Sequence, residues 1–152
     1  MVDVLLRRAA RLIVFDPSGR LLLFQYQDHR GLWWATPGGG LDDGEDFEAA
    51  AAREAREELG AAEVVLKPLW ERTTEYEARG RPIRQLEQFF LVADGVQPDL
   101  VHHQNAEHDR EGIRALRWWT LEDLAHTTDQ IFPEDICSRL TDLRAHSPDL
   151  FR

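Results

Sequence analysis

Glu54, Glu57 and Glu58 lie within five consecutive residues. At about 3.6 residues per turn, their i, i+3, i+4 spacing places the three carboxylates on one face of a helix. Like charges at this spacing repel one another and weaken the helix. A hard divalent cation, which binds carboxylate oxygens, offers a reason for the pattern. The alternative is a solvated acidic helix face, the usual meaning of a run of charges.

The residues around these glutamates predict a glycine-rich loop followed by a helix. Residues 37–40 read Pro-Gly-Gly-Gly, a backbone that can bend sharply and approach another group closely. Residues 45–59 contain neither Pro nor Gly and are rich in Ala, which favours a helix. Asp42, with Glu45 three positions later, has the pattern of a capping box, and Gly60 suits the C-terminal cap.

A second pair of charges weighs against a purely solvated acidic face. Glu45, near the loop, is spaced so that it could pair with Arg53 two helical turns later. A calcium loop of the EF-hand type is excluded, because residues 42–44 lack the alternating ligands that such a loop needs. The pattern therefore favours a helix face whose charges are organised by a partner.

The stretch from residue 39 to residue 61 resembles the signature of the Nudix hydrolase superfamily, Gly-x5-Glu-x7-Arg-Glu-U-x-Glu-Glu-x-Gly-U, where U is a bulky apolar residue. Every fixed polar and glycine position matches. Both U positions, Ala55 and Ala61, are smaller than usual, which hints at a closely approaching neighbour. The resemblance, of the MutT-like kind, implies an α/β fold: an α/β/α sandwich with a mixed sheet, expected as one domain over residues 1–152.

The resemblance also implies that water attacks a phosphorus of a diphosphate linkage with the help of Mg²⁺ or Mn²⁺. Carried onto this sequence, the metal ligands are Glu54, Glu57 and Glu58. Glu54 or Glu57 is then the expected base for the nucleophilic water. Arg53 and Glu45 would hold the helix face and the loop in place. The carbonyl of Gly39 or a neighbour would complete the coordination sphere.

Three glutamates rarely satisfy two or three hard cations, so a further acid is expected from elsewhere in the chain. Glu111 is the first candidate and Glu107 the next, with Asp109 in the same polar stretch. Glu87, in a predicted strand, is another candidate. Taken alone, each of these acids is expected to be a surface charge.

The substrate expectations depend on aromatic residues outside the signature. Trp33 and Trp34 precede the glycine loop and could stack on a base, although at least one should pack inside. Trp34 and Tyr76 are the predicted substrate contacts, and Tyr76 could equally be a packing residue of a sheet. We expect a nucleotide substrate, with nucleoside triphosphates slightly ahead of dinucleoside polyphosphates. The alternatives are a catalytically silent nucleotide sensor of the same fold and an isomerase of prenyl diphosphates.

Charge and composition limit the partners. The net charge of −10 argues against a nucleic-acid groove, and no apolar run approaches the roughly 20 residues of a membrane span. Cys137 is the single cysteine, which fits a reducing cytoplasm, and a homodimer is the open oligomeric expectation. Arginine grips phosphate in a bidentate fork. Loose candidates for that role, each a solvated charge when taken alone, are Arg7, Arg8, Arg30, Arg72, Arg79, Arg81 and Arg84.

The remaining pattern predicts strands on either side of the central helix and helices near the C-terminus. The predicted strands and extended segments are residues 9–15, 20–26, 63–69, 70–77, 83–93 and 114–120. Short helices are predicted over residues 121–125, where Thr120 can form the cap, and over residues 133–143.

Overall fold

The computed structural model describes residues 3–61, 63–94 and 112–151. Its strands are β1 (Leu5–Ile13), β2 (Leu21–Asp28), β3 (Gly31–Ala35), β4 (Gly38–Gly40), β5 (Val65–Ala78), β6 (Arg81–Asp94), β7 (Ile113–Trp119) and β8 (Ile131–Phe132). Its helices are α1 (Phe47–Leu59), α2 (Leu121–His126) and α3 (Ile136–His146), followed by a 3-10 turn at Pro148–Phe151. None of the helices in these ranges has the length and apolar character needed to cross a membrane.

The strands form two four-stranded sheets, each of which mixes parallel and antiparallel pairs. The first sheet has the order β4-β1-β6-β5, with β1 and β6 parallel and the other pairs antiparallel. The second sheet has the order β7-β2-β3-β8, with β3 and β8 parallel. The predicted mixed α/β architecture is therefore confirmed, with two sheets instead of one.

The layers follow from alternation along the central strands. Leu22 of β2 belongs to the core under α1, while its neighbour Leu23 belongs to the core under α3. Successive side chains of a strand point to opposite faces, so the two helices cover opposite sides. Ala51 and Ala55 of α1 are fully buried, and their small side chains let the helix lie close to the sheet. The small residue at the first U position, Ala55, thus has the close neighbour that its size suggests.

The C-terminal end of α1 agrees with the sequence prediction, and its N-terminal end differs from it. Gly60 ends the helix in the left-handed conformation, at φ 69°, as predicted. The N-cap is Asp46, whose side chain accepts from the N–H of Ala49 at 2.7 Å. The expected cap, Asp42, instead donates its backbone N–H to Glu45 Oε1 at 2.7 Å, which closes a turn just before the helix.

Several other strand and helix boundaries differ from the sequence prediction. The two extended segments predicted after the helix form one strand, β5, which pairs with β6 through a hairpin at Arg79 and Gly80. The β1 strand begins at Leu5, earlier than predicted, because its first half pairs in parallel with β6. The last helix begins at Ile136 and not at Pro133.

Candidate active site

The three glutamates of α1 differ in exposure. Glu58 is fully buried and Glu54 is 3% exposed, whereas the side chain of Glu57 is 39% exposed. The three acids of α1 thus range from fully buried to partly exposed to solvent.

Arg53 connects these acids to the loop before the helix. Its Nε and Nη2 donate to the two oxygens of Glu45 at 2.9 and 3.0 Å. Its Nη1 lies 3.1 Å from Glu54 Oε1 and 3.1 Å from Glu57 Oε2. Its Nη2 also donates to the carbonyl of Gly40 at 2.9 Å. The hydrogen bonds with Glu45 are the main reason that the pKa of Arg53 lies above, and that of Glu45 below, its ordinary value.

Strand β4 packs directly against the buried acids. A Cβ atom added to Gly39 would lie 2.7 Å from Glu54 Oε1, so a side chain at this position would have to displace the carboxylate. Glu58 Oε2 accepts from the backbone N–H of Gly38 at 3.2 Å. The glycine loop therefore provides the close approach that its composition predicted.

The donor set fits a hard divalent cation in chemical type. Glu54 Oε2 is buried and has no hydrogen-bond donor among the described residues. An anionic oxygen in that situation is costly unless a cation satisfies it. Within the described part of the chain, no three acids, histidines or cysteines are already arranged so that they could hold a metal ion. Arg53 Nη1 lies 3.1 Å from an oxygen of Glu54 and 3.1 Å from an oxygen of Glu57.

A cavity of about 700 Å³ lies between the two sheets, and Gly38–Gly40 and Glu54 contribute to its lining. Its two walls differ in chemistry. The first sheet supplies what we call the arginine wall: Arg7, Arg11, Arg72, Tyr76, Gln85 and Glu87. The second sheet supplies the aromatic wall: Tyr26, Trp33 and Phe132, with Arg30.

Glu87 is at the inner end of the arginine wall and is 4% exposed. Its carboxylate accepts from Arg11 Nε at 2.9 Å and from Arg72 Nη1 at 3.3 Å. Burial alone would lower the pKa of Arg11, but the charge of Glu87 leads the contributions that raise it overall. Arg11 Nη1 also donates to the carbonyl of Gly38 at 3.3 Å. Glu87, one of the candidate metal ligands, is thus engaged by two arginines.

Tyr76 occupies the outer end of the arginine wall. Its hydroxyl donates to Gln85 Oε1 at 3.0 Å and accepts from Arg7 Nη1 at 3.2 Å. The predicted substrate contact at Tyr76 therefore lines the cavity. The candidate late acids Glu107, Asp109 and Glu111 lie outside the described residues.

The two adjacent tryptophans have separate environments. Trp33 lines the cavity and stacks on Tyr26, with ring centroids 4.6 Å apart and planes 18° from parallel. The guanidinium carbon of Arg30 lies 5.1 Å from the Trp33 ring centre. Trp34, predicted to contact substrate, is 7% exposed and belongs to the core, where its Nε1 donates to Asp129 at 3.2 Å.

The NUDIX domain family model matches residues 5–140. The chain belongs to the Nudix family. The match covers both sheets, α1 and the cavity between the sheets. It accounts for the signature residues and for the strands around them.

Individual relatives of this Nudix protein match shorter segments. The RNA pyrophosphohydrolase of Dinoroseobacter shibae is 39% identical over 56 residues, which cover 37% of this chain and 35% of that protein. The nucleoside triphosphatase NudI of Salmonella agona is 49% identical over 46 residues, covering 28% and 33%. The matched segments therefore span about a third of the length of these curated relatives.

Solved structures match over nearly the whole chain. The E. coli ORF135 protein is 25% identical, with a TM-score of 0.62 and 95% of each chain covered. The C. elegans Ap4A hydrolase is 25% identical, with a TM-score of 0.56 and coverage of 95% of this chain and 98% of that chain.

Sequence reasoning missed part of the site of this Nudix protein. It did not single out Arg11 or Gln85, and it treated Glu87 as a metal candidate. The usable pattern is alternation, since side chains two apart on a strand share a face. Arg7 and Arg11 have the same parity on β1, as do Gln85 and Glu87 on β6.

Proposed function

We propose that this Nudix protein is a divalent-metal-dependent hydrolase that cleaves a phosphoric anhydride bond in a nucleotide. Nucleoside triphosphates are the leading substrates and dinucleoside polyphosphates the next. The observation that carries the proposal is the position of Glu54. This buried carboxylate, held by Arg53, opens into a cavity with an arginine wall on one side and an aromatic wall on the other.

Glu54, Glu57 and Glu58 would hold Mg²⁺ or Mn²⁺, with the Gly39 carbonyl and a later acid, Glu111 in the first place, as further ligands. The bound ion supplies positive charge against phosphate oxygens and lowers the pKa of water. The protein supplies the position of each carboxylate through the hydrogen bonds of Arg53.

In the proposed reaction, a water oxygen bonds to phosphorus and the bridging P–O bond of the anhydride breaks. The bridging oxygen leaves on the second phosphoryl group, and a glutamate takes the proton from water. Glu54 and Glu57 are the two candidate bases. Glu54 is the better placed, because it lines the cavity and has one oxygen without a hydrogen-bond donor among the described residues.

The two walls suggest how the substrate lies. Arginine guanidinium groups bind phosphate through two parallel hydrogen bonds, so the arginine wall suits the phosphate chain. Aromatic faces suit a nucleobase, so Trp33 and Tyr26 are the proposed base contacts, in place of Trp34. The relatives called nucleoside triphosphatase and Ap4A hydrolase favour the same two substrate classes.

The proposal is tested with a substrate panel: the four common nucleoside triphosphates, Ap4A and ADP-ribose. Each is incubated with Mg²⁺, with Mn²⁺ or with excess chelator, and products are followed by ³¹P NMR in ¹⁸O-labelled water. We expect metal-dependent turnover of a triphosphate or of Ap4A, with one ¹⁸O atom in the product that carries the attacked phosphorus. Turnover of only sugar nucleotides or non-nucleotide diphosphates, or full activity in chelator, contradicts the proposal.

Matched variants of α1 connect that activity to the glutamates. Glu57→Gln and Glu58→Gln should abolish turnover with Mg²⁺ while the protein stays folded. Glu48→Gln, at an exposed position on the same helix, should behave like the wild type. Nucleotide binding without turnover in the wild type would instead indicate a sensor.

A further inference from the structure

Arg7 lies at the outer end of the arginine wall, in line with Arg11 at the inner end. In the parallel pairing of β1 with β6, Arg7 is opposite Gln85 and Ala9 is opposite Glu87. Arg7 and Arg11 are four residues apart on one face of the strand, which separates their Cα atoms by about 13 Å. The wall therefore offers two cationic positions along one line.

The charges at these two positions are balanced differently. Arg11 and Arg72 share the carboxylate of Glu87, and Arg72 also binds Glu134 at 2.8 Å. Arg7 pairs with no carboxylate among the described residues, and its side-chain contact is the neutral hydroxyl of Tyr76. Among the residues that the structure describes, no carboxylate thus compensates the positive charge at the outer end of the wall.

Tyr76 and Gln85 hold Arg7 in place. Because the Tyr76 hydroxyl donates its proton to Gln85 Oε1, its lone pairs are left to accept from Arg7 Nη1. Gln85 is 4% exposed, so the acceptor that orients this hydroxyl is itself fixed within the sheet. A guanidinium positioned in this way loses less conformational entropy when an anion binds.

Arg7 is also adjacent to β4, the strand that contacts Glu54 and Glu58. A Cβ atom added to Gly40 would lie 3.4 Å from Arg7 Nη2. The carbonyl of the same Gly40 accepts from Arg53 Nη2 at 2.9 Å. An anion bound by Arg7 would therefore lie next to β4. It would be beside a phosphate bound at the face of α1 that carries the glutamates.

We propose that Arg7, oriented by Tyr76 and Gln85, forms an anion subsite for a phosphate beyond the one that is attacked. The subsite makes the protein prefer substrates with three or more consecutive phosphates over those with two. This inference rests on the proposed function, because it names which nucleotides the same cavity selects.

The test measures binding separately from turnover. Dissociation constants of the ATP analogue adenosine 5′-(β,γ-imido)triphosphate and of ADP are measured by calorimetry without metal, because the proposed hydrolysis of either ligand requires a divalent cation. Arg7→Gln should weaken binding of the analogue about tenfold, since one charge-assisted contact is lost, and should leave binding of ADP nearly unchanged. Arg7→Lys should fall between Arg7→Gln and the wild type, because lysine keeps the charge without the bidentate fork.

Arg8→Gln is the matched control. Arg8 has the same charge and is also exposed, but it is on the opposite parity of β1 and does not line the cavity. It should bind both ligands like the wild type. If Arg8→Gln weakens binding of the analogue as much as Arg7→Gln does, the effect comes from net charge alone and the inference is overturned.

The remaining outcomes separate this inference from the proposed function. The inference is wrong if wild-type protein binds the analogue no more tightly than ADP, or if Arg7→Gln weakens both ligands equally or neither. In that case metal-dependent turnover in the substrate panel would leave the hydrolase proposal standing. If Arg7→Gln selectively weakens binding of the analogue but the wild type turns over no nucleotide, the subsite is supported and the hydrolase proposal is contradicted.

Discussion

Arg53 binds both carboxylate oxygens of Glu45, with Nε to Oε2 at 2.9 Å and Nη2 to Oε1 at 3.0 Å. The remaining nitrogen, Nη1, reaches Glu54 and Glu57 on the same helix. One guanidinium therefore fixes the loop before α1 and two of the candidate ligands at once. Glu45 itself does not line the cavity, so its effect on chemistry must pass through Arg53.

Arg53→Ala should lower the turnover number by about 10- to 100-fold, as is typical when a residue that orients a metal ligand is lost. The Michaelis constant should change much less, because misplaced carboxylates weaken the transition state most. Steady-state kinetics with Mg²⁺ measure both constants. The control is Arg56→Ala, an exposed arginine of the same helix. A change dominated by the Michaelis constant would make Arg53 a substrate contact.

Gly39→Ala tests the contact between β4 and the buried acid. The new methyl group would have to displace Glu54 Oε1, which lies 2.7 Å from its position. A displacement of about 1 Å at a reacting group can lower the rate about 100-fold, so a large loss of turnover is expected with the fold retained. Gly40→Ala, whose new methyl group would lie no nearer than 3.4 Å to Arg7 and 3.7 Å to the carbonyl of Arg8, should lose less. Equal losses in the two variants would show that the effect is not specific to Glu54.

Asp16 gives a prediction for stability and its pH dependence. Its side chain is 2% exposed and accepts four hydrogen bonds from Ser18 and Arg20, at 2.7 to 3.1 Å. Burial alone would raise the pKa of Asp16, but these hydrogen bonds lower it overall below its ordinary value of 3.8. Asp16→Asn should lower the free energy of unfolding by about 2 kcal/mol at neutral pH.

The sign of the pH dependence follows from that lowered pKa. The stabilisation by Asp16 is complete above pH 3.8 and is lost as the pH falls through the lower folded-state value. Denaturant titrations of wild type and Asp16→Asn should therefore converge below pH 3.8. Asp142→Asn, at an exposed site, should match the wild type throughout. A difference that stays constant down to pH 2 would contradict the role of the carboxylate.

The parts of the site that could be predicted from sequence are those set by local spacing. The pairing of Glu45 with Arg53 and the cap at Gly60 depend on residues less than three helical turns apart. The arginine wall depends on the register of β1 with β6, which brings Arg7 beside Gln85 across 78 positions of sequence. No local sequence pattern specifies that register, so the arginine wall could not be predicted from the sequence. The N-cap is Asp46 and not the predicted Asp42, because both residues are suitable caps by residue type and the sequence alone does not distinguish them.

The adjacent tryptophans show the same limit of sequence reasoning. Alternation on β3 requires that one of them faces the core, but it does not say which one. The pairing of β3 with β8 and the packing on Trp119 turn Trp34 inward, with ring centroids 5.2 Å apart. Trp33 is left to line the cavity.

This placement gives opposite predictions for the two residues. Trp34→Ala should lower the free energy of unfolding by about 3–5 kcal/mol, because it removes a buried ring from the core. Trp33→Ala should cost much less stability and should raise the Michaelis constant for nucleotides, since the aromatic wall loses its stacked face. Denaturant titration and steady-state kinetics measure the two effects separately.

Phenylalanine variants provide the control if Trp34→Ala does not fold. Trp33→Phe keeps an aromatic face in the cavity and should recover most of the nucleotide affinity that Trp33→Ala loses. Trp34→Phe should remain folded, lose stability and keep the Michaelis constant of the wild type, because Trp34 is 7% exposed and does not line the cavity. A raised Michaelis constant in Trp34→Phe, with none in Trp33→Ala, would reverse the assignment and return the base contact to Trp34.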